Sequence, residues 1–314
     1  MDSGWIEAGT LPYPLAYSAC VSVRESVYVL GGETWDDKSP AGAAVGNHAT
    51  AEVLRLRWNG STRQVDVERN ALPPLPRACQ YHAATSFGEV IYVVASHTRT
   101  VESRRLDESH FWSLDLAAPA GERTWKSLPV WPGPPREKMA FVALGTSTED
   151  APGRGPSLYL MGGATWAKQA DGTPDDANGT HFDDGYRFDL ATRTWTPIAS
   201  LLRLNESRTI DTTGYEWDAG ANRWRRVASP VEQRSPFSLA ARPLAAAPAI
   251  RLDDAHLLLF SGATGRYVTL DVQDRPNFPN DFLIYDARSD VWQLGGLMPA
   301  GSSPRPPSSG RGGS

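Results

Sequence analysis

The sequence predicts an all-β fold of repeated antiparallel sheets, and three observations carry that expectation. An apolar strand closing on small residues is written four times: VYVLGG at 27–32, IYVVAS at 91–96, LYLMGG at 158–163 and LLLFSG at 257–262. A Φ-x-Φ-Asp pattern followed by a Trp strand also recurs. Tyr186-Arg-Phe-Asp189 leads to Trp195, Tyr215-Glu-Trp-Asp218 to Trp224, Leu283-Ile-Tyr-Asp286 to Trp292, and a looser version runs from Trp112-Ser-Leu-Asp115 to Trp125. Finally, Gly 28 and Pro 25 leave little room for long helices, while 11 Trp, 10 Tyr and 9 Phe supply a sizeable core.

Each repeat has the same parts. The apolar run ending in glycine reads as a buried strand entering a tight turn, where the backbone needs φ values that glycine tolerates at no steric cost. Φ-x-Φ has period two, so its large side chains share one face of a sheet. The polar tract before each Trp, such as Ala-Thr-Arg-Thr at 191–194, is a hairpin turn. The tryptophans are best explained by packing between sheets.

In chain order, one unit spans 14–76, with Val53–Leu56 and Trp58 as an irregular outer half. A second spans 77–129, a third 136–201 and a later one 242–299. Between 202 and 230 only an outer hairpin is expected, because Asp218 follows Asp189 by 29 residues, fewer than the roughly 40–50 of a complete unit. We therefore expect one repeat domain over 1–299 with an extra or remnant hairpin at 202–230, then a disordered Gly/Pro/Ser/Arg tail over 300–314.

Charge and motifs exclude several classes. The formal net charge of -5, with basic and acidic residues mixed throughout, gives no stripe for nucleic acid and no polybasic membrane anchor. Neither partner is expected. The two cysteines, Cys20 and Cys79, have no CxxC spacing, so neither a zinc site nor a disulfide scaffold is expected. With no signal-like N-terminus and no long apolar run, the chain as written reads as soluble and cytoplasmic. The aspartates 171, 175, 176, 183 and 184 lack calcium-loop spacing and read as a solvated loop.

The repeat resembles the Kelch repeat, in which each unit is a four-stranded blade of a β-propeller. Several segments are similar, in the same order, to the sialic acid (N-acetylneuraminate) mutarotase/epimerase-like group in cyclically permuted form. They are LPYPLAYSACVSV at 11–23, FWSLDL at 111–116, LPVWPGPPR at 128–136 and NFPNDFLIYDARSDVWQLGGLMP at 277–299. The regions 205–230 and 171–184 depart from it. The resemblance implies a six-bladed propeller, here with about four complete blades. Trp5–Pro12 has the form of a closing strand, and the tail offers no inner strands to complete its blade, so closure is expected to be incomplete.

It also implies interconversion of the anomers of an acidic sugar. One group protonates the ring oxygen while another takes the anomeric hydroxyl proton, with no metal or redox cofactor. The group's catalytic Glu and Arg lie in a motif of the form SGExxPGxR, for which this sequence has no match, so no catalytic residue is carried over. The alternative is a non-catalytic propeller binding a carbohydrate or a protein partner through its loop face. A copper-radical oxidase, which shares the Kelch fold, is excluded because the six histidines show no grouping in the sequence.

Five residues are candidates for ligand contact. Glu33 follows the glycine turn, either near a ligand or as a surface carboxylate. Arg77 and Arg136 begin inner strands, offering forks to a carboxylate or tying blades through backbone carbonyls. Tyr81 and His82 sit on one inner strand, with Tyr81 placed opposite Tyr17 and His82 either an acid/base or a structural histidine.

Overall fold

The computed structural model describes residues 7–35, 47–97, 106–144, 155–168, 174–199, 214–218, 221–228, 231–235, 238–241, 249–252, 256–260, 281–286 and 288–298. They fall into two compact units, within Glu7–Arg203 and Leu204–Ser314. Trp5, the Phe-Pro segment at 278–279 and the tail at 300–314 lie outside the described residues.

The first unit holds three blades. In blade 1, β1 (Leu15–Ala16) and β2 (Ala19–Val23) both pair with β3 (Ser26–Trp35), which pairs with β4 (Asn47–Asn59), followed by β5 (Gln64–Glu68). Blade 2 is the antiparallel run β6 (Ala83–Phe87), β7 (Val90–His97), β8 (Glu108–Asp115) and β9 (Lys126–Ser127). In blade 3, β10 (Ala140–Leu144) and β11 (Ser157–Met161) are separated in sequence from β14 (Gly185–Asp189) and β15 (Thr194–Ile198) by a hairpin, β12 (Ala164–Lys168) with β13 (Pro174–His181). The innermost strands lie side by side: Ser86 Oγ donates to the Ser22 carbonyl at 2.9 Å, and the Ala143 N–H donates to Thr85 Oγ1 at 3.0 Å.

Period-two patterning builds the core as expected. Trp112 and Leu114 of β8, with Ile91, Val93 and Ala95 of β7, pack against Val21, Tyr28, Leu30 and Val53 of blade 1. Their alternates Val94 and Phe111 face Phe141, Leu158, Leu160, Tyr186 and Phe188 of blade 3. Blade 2 is thus apolar on both faces. Phe111 meets Phe188 edge-on, with ring centroids 4.9 Å apart.

The Asp of each Φ-x-Φ-Asp pattern has a structural task. Asp189 Oδ1 accepts from the N–H groups of Ala191 and Thr192, both at 3.0 Å, and Asp115, Asp218 and Asp286 cap their turns in the same way. Asn59 does so in blade 1, accepting from Ser61 and Thr62, with Trp58 opposite Val65 in the register that sets Phe188 opposite Trp195. The outer half of blade 1 reads as irregular because Asn replaces Asp and Val replaces Trp.

The closing tryptophans reach the preceding segment. Trp125 Nε1 donates to the Pro73 carbonyl at 3.0 Å and Trp195 Nε1 to the Pro129 carbonyl at 2.7 Å. Each indole therefore hooks one blade to the exit of the blade before it.

In the second unit, β16 (Gly214–Asp218) and β17 (Arg223–Val227) form a hairpin, as do β18 (Val231–Ser235) and β19 (Ser238–Ala241). A fourth sheet runs through β20 (Ala249–Arg251), β21 (His256–Phe260), β22 (Asp281–Asp286) and β23 (Val291–Leu297). Trp292 Nε1 donates to the Ala228 carbonyl at 2.8 Å. The hairpin ending at Val227 thus stands to this sheet as the outer strands of one blade stand to the next.

In blade 3 the strand β11 ends at Met161, just before Gly162 and Gly163, as expected, whereas the glycine pair of blade 1 has a different role. In blade 1 the strand does not end at the glycines: β3 continues to Trp35, and Gly31 forms a bulge between Leu30 and Gly32. The expected φ values are present, +54° at Gly31 and +107° at Gly32. They are required by space as well, since a Cβ at Gly32 would lie 2.7 Å from the Ala16 carbonyl oxygen.

Candidate functional site

Three consecutive blades of the first unit present equivalent residues at one end of their inner strands. Ala19, Ala83 and Ala140 pair with Leu30, Val94 and Met161, the residues before the Gly31, Ala95 and Gly162 positions. Two residues earlier stand Tyr17, Tyr81 and Lys138. All three have left-handed backbone, with φ of 54°, 54° and 57°. The Lys138 N–H donates to the Tyr81 carbonyl at 2.9 Å, and the Tyr81 N–H to the Tyr17 carbonyl at 3.1 Å. A row of main-chain hydrogen bonds therefore fixes these residues side by side.

Their side chains meet. The Tyr17 and Tyr81 rings lie with centroids 4.2 Å apart, and Lys138 Nζ sits 4.7 Å from the Tyr81 ring centroid. Tyr17 is 51% exposed and Lys138 is also exposed. Burial, then the neighbouring Tyr17 hydroxyl, then the charges of Glu33 and Glu137 raise the Tyr81 phenol above its ordinary pKa. Tyr81 thus keeps its proton at neutral pH and offers a hydroxyl.

Glu33, opposite Ala16 on β3, is only 6% exposed, so it is not a surface turn carboxylate. The ring of His82 packs against Gly31 and is 8% exposed, with neither nitrogen in a hydrogen bond of normal geometry. Burial lowers its pKa to about 4, with the Leu30 backbone offsetting part of the effect. It is neutral at pH 7.

The two arginines are engaged within the protein. Arg77 Nη1 donates to Glu108 Oε2 at 2.9 Å. Arg136 is 0% exposed, and its fork is spent on both oxygens of Asp184 and on the carbonyls of Gly162 and Pro134. Phe182 covers its guanidinium at 4.2 Å. Asp184 is therefore an ion-pair partner rather than a solvated loop residue, and Arg136 and Tyr186 hold its carboxyl below the usual range against burial, which raises it.

Beyond the five candidates, the fold gathers histidines that the sequence keeps apart. His97 donates Nε2–H to the Ala78 carbonyl at 2.9 Å, its ring centroid lies 5.0 Å from that of His110, and His110 stacks on Trp112 at 4.9 Å. Burial lowers His97 to about 4 and lowers His110. Among the described residues, no group of three or more His, Cys, Asp or Glu is placed to hold a metal ion. Tyr17 and Lys138 are not among the sequence candidates. Aligning the blades on the inner strands and reading two positions upstream is the signal that finds them.

Four-stranded antiparallel sheets packed face to face, with their inner strands adjacent, define a protein of the β-propeller class. A 60-residue stretch, 19% of this chain, is 38% identical to the N-acetylneuraminate epimerase of Yersinia enterocolitica and covers 13% of that enzyme's length. No family model matches the chain. Among the described residues, no helix is long and apolar enough to cross a membrane.

Proposed function

We propose that this chain is a Kelch-type propeller, related to the cyclically permuted sialic acid mutarotases, that binds an acidic sugar and speeds exchange between its anomers. The observation that carries this reading is the stretch shared with an epimerase of N-acetylneuraminate, an anionic sugar. The chemistry is undemanding: protonation of the ring oxygen and loss of the anomeric hydroxyl proton open the ring, the carbonyl turns over, and the reverse steps close it. A cation beside the carboxylate holds the sugar in register for those transfers. No acid/base pair is assigned, because SGExxPGxR has no counterpart in the sequence.

That missing motif favours a second reading, binding without catalysis. One experiment separates the two. Freshly dissolved α-N-acetylneuraminate is followed by proton NMR with and without the protein, and anomer exchange faster than in buffer supports the mutarotase. A rate equal to buffer with saturation transfer to the sugar leaves binding alone. Neither effect removes both readings.

A further inference from the structure

We infer that Tyr17 and Tyr81, with Glu33 beside them, bind an uncharged, hydroxyl-rich ring such as a neutral pyranose, an assignment that does not rest on the acidic-sugar reading above. Glu33 carries the first part of the argument. It is 6% exposed, and among the described residues none donates a hydrogen bond to its carboxylate. A carboxylate so far withdrawn from water ordinarily has a donor, because losing its hydration without replacement is costly. Neither oxygen is sealed in, so the carboxylate is open at its tip to a donor arriving from outside. Register places that tip at the row: Glu33 pairs with Ala16, the residue before Tyr17, and its charge reaches the Tyr81 phenol.

The charges around the row select the ligand. Lys138 Nζ lies 4.7 Å from the Tyr81 ring centroid, and both Lys138 and Glu137 have further partners within the protein. The row thus leaves no positive charge for an anionic ligand, which Glu33 also repels. A cationic ligand would meet Glu33, but it would also meet the ammonium already seated against Tyr81. A neutral ring with vicinal hydroxyls meets neither repulsion, and two of its O–H groups donate to the two Glu33 oxygens in charge-assisted hydrogen bonds. Tyr17 is 51% exposed, with its ring centroid 4.2 Å from that of Tyr81, and offers an aromatic surface to the apolar C–H face of the same ring. The two phenol hydroxyls adjoin one another and complete the polar contacts.

Isothermal titration with the methyl glycosides of glucose, galactose and mannose, against glucuronate and glucosamine, tests the assignment. At least one methyl glycoside should bind, and more tightly than either charged sugar. Glu33→Gln keeps the shape but removes the charge from the acceptor, and it should weaken that glycoside roughly tenfold. Tyr17→Ala removes the stacking surface and should weaken it several-fold. Tyr17 is exposed, so its variant tests the site even where Glu33→Gln alters the fold, which thermal melting reports. Binding of none of the three glycosides, a charged sugar binding as tightly as they do, or a folded variant binding like the parent would each overturn the assignment. Methyl glycosides have no free anomeric hydroxyl, so their binding is read apart from anomer exchange and the two readings fail separately.

Discussion

Arg136 and Asp184 face each other across blade 3, the guanidinium fully enclosed and both of its terminal nitrogens donating to the carboxylate. Tyr186 adds its hydroxyl to Asp184 Oδ2 at 2.7 Å. The pair closes the hairpin loop that leaves and re-enters the sheet between β11 and β14. Removing one partner leaves an enclosed charge, so Asp184→Ala should destabilise the first unit by about 3–5 kcal/mol. Urea denaturation checks this. An unchanged midpoint would mean that the carbonyls of Pro134 and Gly162 suffice to hold the guanidinium.

The indole hooks lead to a smaller, more specific expectation. Trp125→Phe keeps an aromatic ring but deletes the donor to the Pro73 carbonyl. It should cost about 1 kcal/mol. Trp125→Ala also opens a void between blades and should cost about 3–5 kcal/mol. The ratio of the two losses, measured by thermal melting, separates hydrogen bond from packing.

Protonation of buried histidines should make stability fall in mild acid. His82 and His97 are held neutral, each lowered by burial to about 4 against an ordinary value of 6.5. The unfolded chain binds more protons between these limits, so stability is full above about pH 6.5 and declines as pH falls toward about 4. For His82 the loss is on the order of 3 kcal/mol. His82→Met, which installs the residue that blade 3 carries at this position, should flatten the profile. A denaturation midpoint as steep in pH for this variant as for the parent would contradict the assignment to His82.

Gly32 should not accept a side chain. Its φ is +107°, and an added Cβ would stand 2.7 Å from the Ala16 carbonyl oxygen, so Gly32→Ala strains the backbone and pushes β1 away from β3. A loss of roughly 2–4 kcal/mol is expected by denaturant titration, larger than for a glycine in open space. Gly88→Ala is the control: its φ is also positive, +58°, but nothing lies within 4 Å of the added methyl.

Much of the fold is legible from side-chain pattern. Period two over Tyr186–Phe188 and Trp112–Leu114 fixes which residues share a face, and local hydrogen bonding makes Asp the residue that ends such strands. These are properties of a few neighbouring residues. The bulge at Gly31 reads as a turn in one dimension because both need the same φ, and only the continued pairing of β3 with β4 distinguishes them.

The candidate site is less legible because its parts come from different blades. Tyr81, His82 and Glu33 can be named one at a time, but Arg136 looks the same in sequence whether its fork meets a ligand or Asp184, 48 residues away. Tyr17 comes to the row that ends in Lys138 only because the inner strands lie side by side. Strands, turns and apolar faces follow from periodicity and local backbone preference, so the order of residues suffices to set them. Which polar groups are enclosed, which are paired and which meet at a common end depends on how one sheet packs on the next, and that is settled only when the blades assemble.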